Sequence, residues 1–252
     1  MNMSSEYKKR ISSWNYGGPN WKLSRSKIDL FNECPRCFYL DNKLGVRRPG
    51  MPPFNLNTAV DALLKKEFDI YRVTKKPHPL MQKYKIDAIP FQHKDLDKWR
   101  ENFVGMQYLH KPTGLIISGA IDDIWINSRG ELYIVDYKAT SKDEEVTLDD
   151  KWKDGYKRQM EVYQWLFRQS GFDVSDKGYF VYANGLKDKK SFDGKLEFEV
   201  TVLDYIGNTE WVEPMIFKIK EVLDCEEIPA PGENCEHCAC HYMRNKTESE
   251  FE

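Results

Sequence analysis

The feature that most constrains this chain is a pair of apolar segments joined by a short turn. Leu115–Ile126 and Glu131–Ala139 are rich in Ile, Leu, Val, Trp and Tyr, and the polar stretch Asn127–Gly130 separates them. A three-residue loop whose glycine takes the left-handed conformation would place Asn127 opposite Glu131. The sequence therefore predicts an antiparallel hairpin whose register is fixed by its turn.

Counting from this turn brings two carboxylates and a lysine together. Asp122 is expected opposite Asp136, and Lys138 opposite Ala120. Side chains alternate along a strand, so Asp136 and Lys138 point to one face and Tyr137 to the other. Facing carboxylates repel, which predicts a bound divalent cation, Mg or Mn, since these hard ions prefer oxygen ligands. The alternative is a hairpin with charges exposed on its solvent face.

A long amphipathic helix is predicted downstream, over Lys151–Gln169, and it ends at Gly171. Gln159 and Tyr163 lie one turn apart, so an amide and a phenol can reach the same place. The alternative is a buried Gln159 bonded to backbone beside a core tyrosine. The apolar stripe of this helix consists of Trp152, Tyr156, Met160, Tyr163 and Phe167.

The order of these motifs resembles the PD-(D/E)XK nuclease superfamily, and within it the RecB-like exonucleases, which include the CRISPR-associated exonuclease. The resemblance covers Ser24–Met243 and implies an α/β nuclease core, with a central mixed sheet flanked by helices. Its motifs here are Gly119-x-x-Asp122, Asp136-x-Lys138 and Gln159-x-x-x-Tyr163.

The resemblance also implies an activity, which is metal-dependent hydrolysis of DNA phosphodiester bonds, from ends or on single strands. Asp122 and Asp136 would hold the metal, together with the backbone carbonyl of Tyr137. Lys138 would position the attacking water. The helix residues of the third motif would orient the substrate.

Asp61 stands about where many relatives carry a metal-binding histidine. It can supply an oxygen ligand suited to Mg, or it can be a polar residue at a helix margin. Its helix is predicted over Asn57–Tyr71, with Val60, Leu63, Leu64 and Phe68 on the buried side.

Two Cys-x-x-Cys pairs form a second candidate site. Cys34 and Cys37 lie near the start of the chain, Cys235 and Cys238 lie near its end, and Cys240 is close to the second pair. Such pairs are typical of tetrahedral metal sites. A shared metal would join the N-terminal helix to the C-terminal tail.

The identity of this metal stays open between Zn and [4Fe-4S]. RecB-like exonucleases hold an iron-sulfur cluster with one early and three late cysteines. Here the last of these is expected near Arg244, where there is no cysteine, so Cys37 or Cys240 would replace it. The alternative is that the cysteines are reduced and buried in the core.

The remaining elements are predicted from periodicity. Ser24–Leu40 is a helix that Pro35 kinks or restarts. Gly178–Ala183 and Leu196–Leu203 are strands, and Thr209–Leu223 is the last clear helix. Residues 1–22 are expected to be a flexible arm, and residues 23–252 a single nuclease domain.

Composition sets wider bounds. The net charge of -2 gives no electrostatic signature of nucleic-acid binding, although lysines can offset a local cluster of acids. No targeting segment is visible, and no stretch approaches the roughly 20 apolar residues of a membrane span, so a cytoplasmic protein is expected.

The expected partners are DNA and, by the resemblance, proteins of a repair or CRISPR-type assembly. The rival hypothesis is a catalytically silent nucleic-acid-binding or scaffold protein that keeps the nuclease fold.

Overall fold

The computed structural model of the protein describes residues 12–50, 52, 54–150 and 153–251. The helices of this part are α1 (Arg25–Glu33), α2 (Pro35–Asn42), α3 (Asn55–Thr74), α4 (Pro79–Lys83), α5 (Leu96–Arg100), α6 (Asp154–Gln169), α7 (Val212–Asp224) and α8 (Glu236–Ser249). The strands are β1 (Leu23–Ser24), β2 (Ile89–Pro90), β3 (Met106–His110), β4 (Leu115–Gly119), β5 (Asp123–Ile126), β6 (Leu132–Thr140), β7 (Lys177–Gly185) and β8 (Phe198–Ile206).

The chain divides into two compact units. The terminal unit comprises Met1–Pro52, Leu109–Ile117 and Glu213–Glu252, and the sheet unit comprises Pro53–Tyr108 and Ser118–Val212. The predicted boundaries at residues 22 and 23 stay a prediction. Of the expected arm, residues 1–11 lie outside the described residues, and the indole of Trp21 donates a hydrogen bond to Asn42 over 3.0 Å.

A mixed five-stranded sheet in the order β2-β5-β6-β7-β8 forms the centre of the sheet unit. Strands β6 and β7 run parallel, and the neighbouring pairs β5–β6 and β7–β8 run antiparallel. The parallel pair needs a crossover, which contains α6. The prediction of a mixed sheet flanked by helices is confirmed. A smaller sheet has the order β1-β4-β3.

The register of the β5–β6 hairpin is the one predicted from its turn. Gly130 has a φ of 90°, and its N–H donates to the carbonyl of Asn127 over 3.1 Å. Ile126 pairs with Leu132, and Asp123 pairs with Val135. Extending this ladder by one residue places Asp122 opposite Asp136.

The prediction of one continuous strand over Leu115–Ile126 is wrong. The chain leaves the ladder at residues 120–122, because other groups bind this backbone: the N–H of Ile121 donates to the carbonyl of Trp99 over 3.0 Å, and Arg100 donates to the carbonyl of Asp122 over 3.0 Å. Ala120, expected opposite Lys138, therefore lies outside the β5–β6 ladder.

The core of the sheet unit is aromatic and lies on the face that Tyr137 occupies. Phe68 of α3 stacks on Trp125 of β5, with ring centroids 5.4 Å apart. The predicted burial of Leu64 and Phe68 is confirmed, whereas Leu63 is 64% exposed, contrary to prediction. The buried members are Leu64, Phe68, Met81, Ala88, Trp125, Tyr133, Val135, Tyr137, Tyr179, Val181 and Val202.

Two features of the helices differ from the sequence prediction or refine it. Pro35 ends α1 and starts α2, with Cys34 capping both helices, so the restart is observed. A further helix, α8, follows α7, so α7 is not the last helix.

Trp152, predicted in the apolar stripe of α6, lies outside the described residues. Within those residues, no helix combines the length and the apolar character that crossing a bilayer requires.

The close contact between Gly119 and Tyr163 gives a test of this packing. A Cβ at position 119 would lie 2.5 Å from the Tyr163 ring, so Gly119→Ala should lower the free energy of unfolding by about 1–3 kcal/mol. Gly50→Ala is the matched control, since nothing lies within 4 Å of its Cβ position. Urea denaturation measures both, and equal stability of the two variants would contradict the packing.

Candidate active site and metal centre

A cleft of about 320 Å³ in the sheet unit is lined by three of the predicted charged residues, Asp61, Asp122 and Lys138. The middle of α3 supplies Asp61 and Lys65, the segment before β5 supplies Asp122, and β6 supplies Lys138. The other lining residues are Asn57, Thr58, Val60, Leu64, Arg100, Asn102, Ala120, Ile121, Tyr137, Ala139 and Tyr156.

Asp122 is held at the edge of the cleft by groups from two elements. Its Oδ2 accepts the backbone N–H of Tyr137 over 2.9 Å. Its Oδ1 lies 3.2 Å from the Nζ of Lys65. Because the chain leaves the ladder here, the carboxylate takes the place of a backbone carbonyl as acceptor for β6. This substitution fixes Asp122 next to the strand that carries Asp136.

Asp136 is 1% exposed and is bound on both oxygens. The Nε2 of Gln159 donates to its Oδ1 over 2.6 Å, and its Oδ2 forms an ion pair with Lys138. Gln159 Oε1 in turn lies 3.5 Å from the Lys138 Nζ. Gln159 thus contacts both charged residues of the second motif.

Lys138 is charged at neutral pH. Burial lowers its pKa, but the carboxylates of Asp136 and Asp122 outweigh this effect, so its pKa is raised from the ordinary value. The ammonium also lies 4.4 Å from the centroid of the Tyr156 ring, which stabilises a cation. A protonated lysine donates hydrogen bonds and places a positive charge in the site, and it does not act as a general base.

Asp61 lies close to Asp122 across the cleft. Its Oδ2 is 2.8 Å from Lys65, while its Oδ1 is buried without a hydrogen-bond partner among the described residues. Burial and the charge of Asp122 both raise the pKa of Asp61, against the opposing effect of Lys65. Repelling carboxylates with an orphaned buried oxygen form a donor set that suits a hard divalent cation.

Tyr163 lies away from this cleft wall. Its side chain is buried, and its ring packs on the backbone of Gly119. Gln159 bonds to Asp136 over 2.6 Å, and that the two residues of the third motif act at one place stays a prediction. Because Gly119 has no side chain, the Tyr163 ring can approach the first motif.

A buried ionic network beneath the cleft was not anticipated. Asp123 is fully buried and accepts hydrogen bonds from Arg72, from Arg100 over 2.9 Å and from the Tyr137 hydroxyl over 2.7 Å. Arg100 also binds Asp69 over 2.9 Å. The alternation of side chains along a strand could have predicted this network. If Asp122 faces the cleft, Asp123 faces the core, where a carboxylate needs cations to balance its charge.

Lys65 and Tyr156 were also missed as residues of the cleft. Lys65 lies one helical turn after Asp61, a spacing that predicts an ion pair on one face of α3. Tyr156 lies one turn before Met160 on α6, and its spacing predicts only a place in the apolar stripe of this helix. Tyr156 borders the cleft because the first turn of α6 lies beside the cleft.

The four cysteines of the paired motifs converge in the terminal unit. The Sγ atoms of Cys34, Cys37, Cys235 and Cys238 all lie within 4.8 Å of one another and can bind a metal. Cys240 is exposed and lies outside this group of four. Burial raises the pKa of Cys34, but the backbone N–H groups of Gly232 and Cys37 outweigh it and lower the pKa to about 6.

The chain is similar to one protein family over most of its length. The model of the PD-(D/E)XK nuclease superfamily matches residues 56–242. Among solved structures, the crystal structure of SSO0001 shares 18% sequence identity at a TM-score of 0.27, over 46% of this chain and 45% of that chain. The match spans less than half of that protein, and a similarity this low supports no argument. A search of curated proteins found no match.

Asp61 and Asp69 of α3 give a test of the electrostatics around the cleft, because their pKa values are shifted in opposite directions. The folded-state pKa of Asp61 is raised above its ordinary 3.8, so its ionisation costs stability as pH rises above that value. Burial raises the pKa of Asp69, but Arg100 and Arg72 lower it overall, so its stabilisation is present above pH 3.8 and is lost as pH falls.

We therefore expect Asp61→Asn, measured in EDTA, to gain stability relative to wild type between pH 3.5 and pH 7. Asp69→Asn should be less stable than wild type by about 1–2 kcal/mol at pH 7, since charged hydrogen bonds are lost from a partly exposed carboxylate. Urea unfolding at pH 3.5, 5 and 7 measures both. An Asp61→Asn variant whose relative stability falls as pH rises would contradict the repulsion.

Proposed function

We propose that this chain, which belongs to the PD-(D/E)XK nuclease superfamily over residues 56–242, is a metal-dependent nuclease that hydrolyses DNA phosphodiester bonds. The observation that carries the proposal is the convergence of Asp61, Asp122 and Lys138 in one cleft, with Asp136 directly behind. Nuclease membership suggests the reaction class, and the cleft supplies the groups for it.

The oxygen donors of the cleft support Mg or Mn as the active-site metal. Asp122, Asp136 and Asp61 would hold it, with the backbone carbonyl of Tyr137. The carboxylate oxygens that already accept hydrogen bonds keep a second lone pair for a metal. Asp61 Oδ1 has no competing partner among the described residues. When bound, the ion supplies an activated water and a Lewis acid for the phosphate.

The protein's own groups would then position the reactants. Lys138, as an ammonium, donates to the attacking water or to a phosphate oxygen and balances the charge that develops on phosphorus. Gln159 fixes the orientation of Asp136 and Lys138 through its amide. Tyr163 would support the site indirectly, because its ring packs against Gly119, three residues before Asp122.

The finer assignment is to the RecB-like branch, acting on DNA ends or single strands. It rests on the motif order and on the early and late cysteine pairs. Tyr156 borders the cleft and offers a ring on which an unpaired base can stack, which favours a single-stranded substrate. Work with partner proteins in DNA repair or CRISPR-type processing would follow from this assignment.

Cleavage by matched variants tests the proposal. Asp122→Asn and Lys138→Gln should each reduce cleavage of labelled single-stranded DNA with Mn²⁺ by at least about 100-fold. Asp204→Asn and Lys177→Gln are the controls, because these residues form an exposed ion pair at 3.0 Å elsewhere on the same sheet. EDTA should abolish wild-type cleavage. Circular dichroism confirms folding of each variant.

Two results would overturn the proposal. One is wild-type protein that binds single-stranded and duplex DNA without cutting either in Mg²⁺ or Mn²⁺, which would favour the silent nucleic-acid-binding protein. The other is unchanged cleavage by both site variants after contaminating nucleases are excluded.

A further inference from the structure

The spacing of the four cysteine sulfurs distinguishes between two kinds of metal centre. The Sγ atoms of Cys37 and Cys235 are 3.6 Å apart, as are those of Cys37 and Cys238, and those of Cys34 and Cys238 are 3.8 Å apart. Four sulfurs placed 2.3 Å from one ion at tetrahedral angles lie about 3.8 Å apart. These three distances match those expected for ligands that share a single ion.

A [4Fe-4S] cluster does not fit this spacing. In such a cluster each thiolate binds a different iron, so the four sulfurs lie farther apart than around one ion. All four Sγ atoms here lie within 4.8 Å of one another. The cysteine pattern disagrees as well, because Cys240, the third late cysteine, is exposed and outside the group. Two pairs, rather than one early and three late cysteines, make the site.

The two Cys-x-x-Cys pairs occupy the same positions at the start of a helix. Cys34 is the N-cap of α2 and Cys235 is the N-cap of α8, and in each pair the second cysteine follows in the first helical turn. The N–H of Cys37 donates to the Cys34 sulfur over 3.4 Å. Both pairs thus present their sulfurs at helix N-termini, where the peptide dipoles favour negative charge.

Further donors around the sulfurs stabilise thiolates. The N–H of Gly232 donates to the Cys34 sulfur over 3.2 Å, and Arg48 lies 3.4 Å from the Cys235 sulfur. Gly232 is required for this approach, since a Cβ there would lie 2.1 Å from the carbonyl oxygen of Glu33. A divalent ion with four thiolates carries a net negative charge, which the guanidinium of Arg48 partly offsets.

We propose that Cys34, Cys37, Cys235 and Cys238 hold one tetrahedral Zn²⁺ ion with a structural role, in place of the iron-sulfur cluster that the RecB-like resemblance implies. Four thiolates fill the coordination sphere, so no position is open for water or substrate. The ion joins residues that are up to 204 positions apart in the chain. This proposal does not depend on nuclease activity.

Metal analysis of the full-length protein, purified without oxygen or chelators, tests the proposal. We expect one zinc per chain, no iron, no acid-labile sulfide and no visible absorption. After exchange with Co²⁺, the protein should show the intense d–d and sulfur-to-cobalt bands of a tetrahedral tetrathiolate site. About four irons and four sulfides per chain with a brown colour would overturn it. One iron without sulfide would overturn the zinc assignment, and absence of any metal would overturn the site.

Serine variants identify the ligands. Cys235→Ser should lose the stoichiometric zinc and the cobalt spectrum, whereas Cys240→Ser and Cys225→Ser, at exposed cysteines, should keep both. If Cys235→Ser does not fold, zinc-edge X-ray absorption of the wild type still decides, since four sulfur neighbours at about 2.3 Å are expected. Retention of zinc by folded Cys235→Ser, or a mixed nitrogen and oxygen shell in the wild type, would contradict the proposal.

Discussion

The candidate active site depends on the register of one hairpin. The turn after Asn127 aligns β5 and β6 so that Asp122 arrives beside Asp136, and a shift of one residue would turn one carboxylate into the core. The same register lets the Tyr137 N–H bind Asp122, which substitutes for a missing ladder bond. The site is thus built at the place where β5 begins.

Buried charged groups hold the start of β5 in place. Arg100 binds both the carbonyl of Asp122 and the carboxylate of Asp123. Arg72 also binds this carboxylate, so two guanidinium groups balance the charge of the fully buried Asp123. Such buried ion pairs contribute little net stability, because desolvation offsets their attraction. Their value here is geometric: they fix the peptide between one acid that faces the cleft and one that faces the core.

Charge balance explains how an acidic site exists in a chain with a net charge of -2. Lys65 lies between Asp61 and Asp122, and Lys138 pairs with Asp136, so each group of acids has its own ammonium. The overall charge therefore carries no information about nucleic-acid binding. Local arrangement, which sequence composition cannot express, decides the field in the cleft.

Local signals made part of this structure predictable. The hairpin register follows from its turn, and the break between α1 and α2 follows from Pro35, since both depend on neighbouring residues. The end of the strand at residue 119 depends on Arg100 and Trp99, which lie elsewhere in the chain, so periodicity could not show it.

Other differences have the same origin. Helix α8 has no buried residues, so it carries no apolar stripe to detect. Gln159 and Tyr163 share a helix face, but the spacing of α6 alone could not show that Gln159 binds Asp136 or that the Tyr163 ring packs against Gly119. For the cysteines, sequence spacing indicates the pairs, whereas the proposal of a single ion rests on the sulfur distances, which spacing does not give.

Anomalous diffraction from a crystal soaked in Mn²⁺ would test the central claim, that the hairpin register creates a site for a divalent cation. The expected result is an anomalous peak within about 2.0–2.6 Å of carboxylate oxygens of Asp122 and Asp136. A well-ordered hairpin with no peak there, or with Mn²⁺ bound only at other carboxylates, would contradict it.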